Sequence, residues 1–213
     1  MDVSLSALGL VALAPLFAVL ALLIMLGDGG PVFFRQARAG CRGKPFTIWK
    51  FRTMSPDAVD RGPPLTVGDD PRVTPVGRWL RRWKVDELPQ LWNVLRGDMS
   101  LVGPRPEVSR YVAAYTSGER RVLDLTPGLT DVASIVYRNE EALLATAEDP
   151  ERVYVDVVVP VKIALNLRYA AHATVWSDVV VVLRTLLAVV RPASSPPPSS
   201  RPKSRERASS SVR

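Results

Sequence analysis

Hydrophobic and polar positions follow three different rhythms along this chain. From Val3 to Gly27 there is no charged residue, and Leu, Ala and Val dominate. At ~1.5 Å per residue, such a run crosses the ~30 Å hydrocarbon core of a bilayer if it is helical. Pro15 stands near its centre, where a proline removes a backbone hydrogen bond and bends a helix. The segment therefore either spans or enters and turns back. A secretory leader is the competing reading. It lacks a basic stretch ahead of the apolar run, and Pro15 spoils the candidate cleavage site Ala12-Leu13-Ala14.

The period then shortens to two. Pro31 to Gln36 reads as extended, Gly40 to Pro45 as a turn, and Phe46 to Met54 as a strand. In such a strand Lys50 and Arg52 share one face, and Trp49 and Phe51 the other. Pro63 to Val76, rich in Pro, Gly and Asp, predicts a mobile surface loop lying over a site. Helical spacing returns with Leu88, Leu91, Trp92 and Leu95. That helix starts near Asp86 as N-cap, with Glu87 and Pro89 in its first turn.

Further on, Val108 to Leu125 predicts a helix, Val132 to Tyr137 a short β-like run, and Glu140 to Ala147 a helix stopped by Asp149-Pro150. Pro160 breaks the next apolar stretch before Lys162 to Ala171. Ser177-Asp178 caps a last helix through Val190, although its Val-rich run equally suits a buried strand. From Arg191 onward Pro, Ser and Arg predict a disordered basic tail. The elements add up to a helix-dominated α+β chain in three parts: a membrane helix over 1–28, a catalytic domain over 29–190 and the tail over 191–213.

Charge and composition narrow the chemistry. The chain has 213 residues with 28 Lys+Arg against 21 Asp+Glu, a formal net charge of +7, so its partners are anionic: phosphates, nucleic acid or an acidic membrane surface. One cysteine (Cys41) excludes an internal disulfide and a Cys-rich zinc site, and one histidine (His172), with no Cys or His near it in sequence, argues against a histidine-based triad or metal centre. Carboxylates, lysine, arginine or hydroxyls must run any reaction. Six Lys or Arg and no acid lie between Gly29 and Pro56, which puts that stretch on the cytoplasmic side by the positive-inside rule. It reads as a basic skirt at anionic headgroups, or, more sharply, with Lys50 and Arg52 as clamps on a substrate's phosphates.

Asp86 and Glu87 are the candidate centre. Arg78, Arg81, Arg82 and Lys84 precede them, and Arg105 follows between two prolines. Alone, an acidic pair is explained by a capped surface helix. A membrane-anchored basic module binding nucleic acid or anionic lipid is the rival of another class. It leaves unexplained why two carboxylates sit among arginines, where they repel phosphate unless a metal intervenes.

These stretches also carry a likeness. Asp2 through the apolar run into Gly30-Pro-Val-Phe-Phe-Arg-Gln and Arg38-Ala-Gly, then Lys50-Phe-Arg-Thr-Met, Asp86-Glu-Leu-Pro-Gln, Arg96-Gly-Asp-Met-Ser-Leu-Val-Gly-Pro-Arg-Pro and Thr126-Pro-Gly-Leu-Thr, resemble bacterial sugar transferases in the same order. These are the monotopic phosphoglycosyl transferases that start exopolysaccharide, O-antigen or glycoprotein glycan assembly, here in their small catalytic form. The resemblance covers roughly residues 2–190. It implies an enzyme of the inner membrane facing the cytoplasm, with a re-entrant N-terminal helix broken at Pro15 and amphipathic interfacial helices.

It further implies that Asp86 attacks the sugar-bearing phosphorus of a UDP-sugar, that UMP leaves, and that polyprenol phosphate takes the phosphosugar from the aspartyl intermediate. Mg²⁺ is the implied cofactor, with Asp86 beside it. Lys50, Arg52, Arg81, Arg105 and Arg138 are the implied substrate binders. For Glu87 three roles stay open: holding the metal, orienting Asp86, or acting as base toward the polyprenol phosphate. The implied partners are UDP-sugar, polyprenol phosphate and the membrane, with no nucleic acid. The chain departs from the family where Ala14 replaces the usual Ser before the helix-breaking proline, and in the stretch Asp131 to Glu141 that contains Arg138.

Overall fold

The computed structural model describes residues 1–58, 61, 62, 65–68 and 70–190. The expected tail lies outside the described residues, as do positions 63, 64 and 69 of the expected loop. The uncharged N-terminal run forms α1 (Asp2–Asp28). Its sequence is apolar all round, so nothing confines it to one buried stripe. By length and composition it is able to cross a membrane, and only 11% of its most apolar 18-residue window is buried. The helix stays intact through Pro15, so the break expected there is absent. One missing N–H leaves the rest of a 27-residue ladder in place. Gly29, at φ 68°, ends the helix in the left-handed conformation and donates its N–H to the Met25 carbonyl.

Both ends of α1 touch the rest of the molecule. Near its start, Ser100 Oγ donates to Asp2 Oδ2 at 2.6 Å. Toward its end, Leu20 and Ile24 pack with Phe51 and Leu80, joined by Phe17, whose ring meets Phe51 edge-on at 5.1 Å. The outward residues, among them Leu8, Val11, Leu22 and Leu26, are exposed.

Strands β1 (Phe33–Ala39) and β2 (Pro45–Phe51) form an antiparallel hairpin in the register Phe33↔Phe51 to Ala39↔Pro45. The expected turn between them is a 3₁₀ segment, Cys41–Gly43. Helix α2 (Pro75–Arg82) is capped by Thr74, whose hydroxyl accepts from Gly77 N at 2.9 Å. The 3₁₀ turn Val85–Gln90 follows and runs into α3 (Leu91–Leu95). Asp86 is therefore not the N-cap. Lys84, at φ 55°, turns the chain, and Asp86 lies inside the first turn.

A short parallel pair, β3 (Ser100–Val102) with β4 (Gly128–Thr130), holds two backbone segments close together. A Cβ on Gly128 would stand 2.1 Å from Gly103 N, so this approach needs glycine.

The rest is helical. The helix expected over Val108–Leu125 splits into α4 (Ser109–Val112) and a 3₁₀ turn, Glu119–Asp124. Thr116-Ser117-Gly118 interrupts it, and Glu119 Oε2 accepts from both Thr116 N and Thr116 Oγ1 at 2.7 Å. The β-like run Val132–Tyr137 is in fact α5 (Val132–Val136). Asp131 accepts from Ser134 N at 2.7 Å, and this cap outweighs the β propensity of Val and Ile.

Helices α6 (Glu140–Ala145) and α7 (Pro150–Val153), a π-helical turn Tyr154–Val158, α8 (Val159–Ala170) and α9 (Val175–Val190) complete the fold. Pro160 does not break the chain here, because it occupies the first turn of α8. The main core gathers Tyr111, Tyr115, Tyr154, Val158 and Ile163. Helix α9 presents Trp176, Leu183, Leu186 and Leu187 outward.

Candidate active site

Three short elements converge on the acidic pair. The 3₁₀ turn carries Asp86 and Glu87, β2 carries Lys50 close to its end, and the Pro104-Arg105-Pro106 turn after β3 carries Arg105. Asn93, buried in α3, ties the 3₁₀ region to β2. It accepts from Trp49 N at 3.1 Å and donates to Thr47 O at 2.7 Å.

Glu87 is clamped. Arg105 forks onto it, with Nη1 at 2.9 Å from Oε2 and Nη2 on Oε1, while Lys50 Nζ donates to Oε1 at 2.8 Å. Burial works to raise its carboxyl, but Arg105 and Lys50 outweigh this and hold it well below the usual range. Glu87 in return keeps the Arg105 guanidinium charged well beyond its ordinary limit. Burial pulls the Lys50 ammonium below its usual value against the attraction of Glu87. A carboxylate so held is a weak base, and its geometry is that of an anchor for two cations.

Asp86 is in the opposite condition. It is 7% exposed, and its Oδ1 is buried with no hydrogen-bond partner. Burial pushes its carboxyl above the ordinary value, and the Glu87 charge adds to this. Lys50, Lys84 and Arg81 pull the other way without cancelling it. An orphaned carboxylate oxygen beside cations is a group waiting for an electrophile or a metal. Among the described residues no cluster of three or more His, Cys, Asp or Glu could hold a metal alone. The orphaned oxygen does fit Mg²⁺, which commonly binds one or two carboxylates and completes its shell with waters and substrate phosphates.

Arg81 and Arg138 line an open cleft of about 920 Å³ together with Arg78, Arg82, Lys84 and Trp83. Arg81 pairs with Glu141, and Arg138 donates to Val189 O at 3.3 Å. Thr66, Gly68 and Asp70, from the expected loop, border this cleft. Arg52 stands apart from all of these. It is 6% exposed, forks onto both oxygens of Asp28, and donates to Pro31 O and Met54 O. The shared strand face predicted for Lys50 and Arg52 fails because β2 ends at Phe51 and Arg52 turns back toward α1.

Sequence reasoning passed over Asn93, Glu107 and Tyr154. Asn93 left a signal, a polar residue inside the apolar period of α3. Glu107 left its place beside Pro106, and Tyr154 left none.

A family model described as bacterial sugar transferase matches residues 1–192. The chain is 38% identical over 196 residues to "Undecaprenyl-phosphate glucose phosphotransferase" of Komagataeibacter xylinus, covering 87% of this chain and 34% of that protein. It is 48% identical over 116 residues to "Uncharacterized sugar transferase EpsL" of Bacillus subtilis, covering 54% and 56%. With "Exopolysaccharide production protein ExoY" of Sinorhizobium fredii it shares 36% over 203 residues, covering 88% and 83%. The chain thus spans about a third of the first of these relatives and just over half of the second.

Proposed function

Since the chain belongs to the bacterial sugar transferase family, we propose that it moves a sugar 1-phosphate from a UDP-sugar to polyprenol phosphate and releases UMP. The observation that carries this reading is the pairing of a buried, unpartnered Asp86 oxygen with an adjacent Glu87 locked by Lys50 and Arg105. A relative whose name specifies undecaprenyl phosphate and a glucose phosphotransferase supports the same reaction class.

In the first step an Asp86 carboxylate oxygen bonds to the sugar-bearing phosphorus. The bond from that phosphorus to the bridging oxygen breaks, and UMP departs with the bridging oxygen and its electron pair. In the second step a phosphate oxygen of polyprenol phosphate attacks the same phosphorus. The acyl–phosphate bond to Asp86 then breaks, giving polyprenyl-diphospho-sugar and restoring the carboxylate. No net proton is consumed.

Lys50 and Arg105, oriented by Glu87, face the negative charge that builds on the phosphoryl oxygens. Arg81, Lys84 and Arg138 attract the substrates' phosphates into the cleft. Asp86 together with the donor's phosphates would hold Mg²⁺, which would supply charge neutralisation there.

Placement at the membrane follows the same reading. A helix crossing a bilayer has its ends on opposite sides, whereas Asp2 and Asp28, at the two ends of α1, contact one and the same body. This supports a monotopic enzyme with α1 embedded from one face, and the exposed apolar residues of α9 rest at the same interface. The basic stretch after α1 supports a cytoplasmic orientation of that face at the inner membrane, on the side where UDP-sugars are.

The test is nucleotide release by the purified protein with Mg²⁺, undecaprenyl phosphate and a panel of UDP-sugars. UMP release that disappears in Asp86→Asn supports the transfer. UDP release overturns the aspartyl mechanism, and release of neither nucleotide by folded protein overturns the enzyme reading.

A further inference from the structure

The Pro104-Arg105-Pro106 turn has an unusual fastening problem. Two of its three residues lack a backbone N–H, so it must be pinned mainly through its carbonyls and through the residue that follows. On one side Gly128 N donates to Pro104 O at 3.0 Å. On the other, β1 supplies two pins: Arg38 Nη1 donates to Pro106 O at 3.1 Å, and Ala39 N donates to Glu107 O at 2.9 Å.

The Arg38 pin is itself held. Its Nε and Nη2 both donate to Gln36 Oε1, at 3.0 and 2.6 Å, and its Nη1 lies 3.9 Å from Glu107 Oε2. The other Glu107 oxygen accepts from Tyr154 Oη at 2.5 Å. Tyr154 opens the π-helical turn, packs edge-on against Tyr111 at 5.1 Å and lies 5.7 Å below the Lys162 ammonium. Turns of this kind are rare in helices and recur at functional sites. The arrangement alternates in charge: Glu87 answers Arg105 at the front of the turn, and Glu107 answers Arg38 behind it. Arg38 and Arg105 repel each other, and the Glu107 charge favours the ionised form of both.

We propose that Glu107, held by Tyr154 and holding Arg38, is a positioning residue that fixes the Pro104–Pro106 turn so that Arg105 meets the donor's phosphates. This rests on the reading of Arg105 as a phosphate-binding group. Glu107 acts on Arg105 through the backbone they share and through the Arg38 pin, so its effect passes through Arg105.

The test is a double-mutant cycle on the full chain in detergent. UDP with Mg²⁺ serves as the donor-site probe by calorimetry, and turnover is followed with whichever UDP-sugar the panel identifies. Glu107→Gln and Tyr154→Phe are each expected to weaken UDP binding, raise the donor KM at least five-fold and lower kcat, since Arg105 also faces the charge of the transition state. In an Arg105→Lys background, Glu107→Gln is expected to add nothing. Tyr154→Phe keeps the ring packing, so it reports even where Glu107→Gln fails to fold. An unchanged donor KM in the folded Tyr154→Phe protein, or an undiminished Glu107→Gln penalty in the Arg105→Lys background, overturns the inference and leaves the phosphate role of Arg105 standing. An Arg105→Ala protein with wild-type UDP affinity and turnover overturns that role, and this inference with it.

Discussion

Arg52 clasps Asp28 through its two terminal guanidinium nitrogens, joining the last residue of the apolar helix to the residue after β2. The pair is 24 residues apart in sequence, and the arginine is 6% exposed. It turns a basic residue that looked like a phosphate clamp into a structural tie. Among the described residues, Arg52→Ala leaves Asp28 with only the Gly30 N–H and leaves two carbonyls without their donor. We expect it to cost about 1–2 kcal/mol of stability, since Asp28 stays partly exposed, read by denaturation in detergent, while the donor KM stays within two-fold. A large KM increase in a folded protein would return Arg52 to the substrate site.

Asp86→Asn is expected to abolish turnover and to raise the melting temperature. The carboxyl is raised above its unfolded value, so its contribution to stability is fully present below that value and lost as pH rises through the folded one. At neutral pH the ionised group therefore works against the fold. Relieving that cost raises the melting temperature, at roughly 2–4 °C for each ~1 kcal/mol in a chain of this size. Thermal scans at pH 7 and pH 4 check the sign, because the gain should shrink at the lower pH.

The acid limb of the rate profile is expected to report Asp86, above the ordinary carboxylate range. Glu87 is a negative neighbour that disfavours ionisation of Asp86. Glu87→Gln should therefore shift that limb to lower pH even as the maximal rate falls. Measuring kcat/KM across the acid range for both proteins decides it, and a shift to higher pH would contradict the assignment.

Much of this was legible in the residues themselves. An uncharged run of helical length, the alternation of the hairpin and the Asp-Glu pair between basic stretches are local patterns. What was missed depends on partners far along the chain. Nothing near Arg52 announces Asp28, and nothing near Tyr154 announces Glu107, which is 47 positions away. Asp86 was misread as a cap because the spacing of Leu88, Leu91 and Trp92 suits an α-helix. A left-handed Lys84 and a 3₁₀ turn instead bury the carboxylate. In Val132–Val136 a local signal was present, since Asp131 and Ser134 form a cap, but the β-branched residues masked it.

Gly128→Ala is expected to push the Pro104–Pro106 turn outward, since the new Cβ meets Gly103 backbone at 2.1 Å. Overpacking of this kind costs about 1–3 kcal/mol. Because Arg105 rides on the displaced segment, the donor KM should rise several-fold in protein that still folds. Titration with UDP separates this from a general loss of folded protein.

The tether at the beginning of α1 also has a consequence in time. Ser100 is synthesised 98 positions after Asp2, its partner. At about 5–20 residues per second, the greasy helix waits roughly 5–20 s for that hydroxyl to be made. During that interval it must be sheltered by lipid or by a chaperone, so the nascent chain meets the bilayer before it has a catalytic domain to anchor.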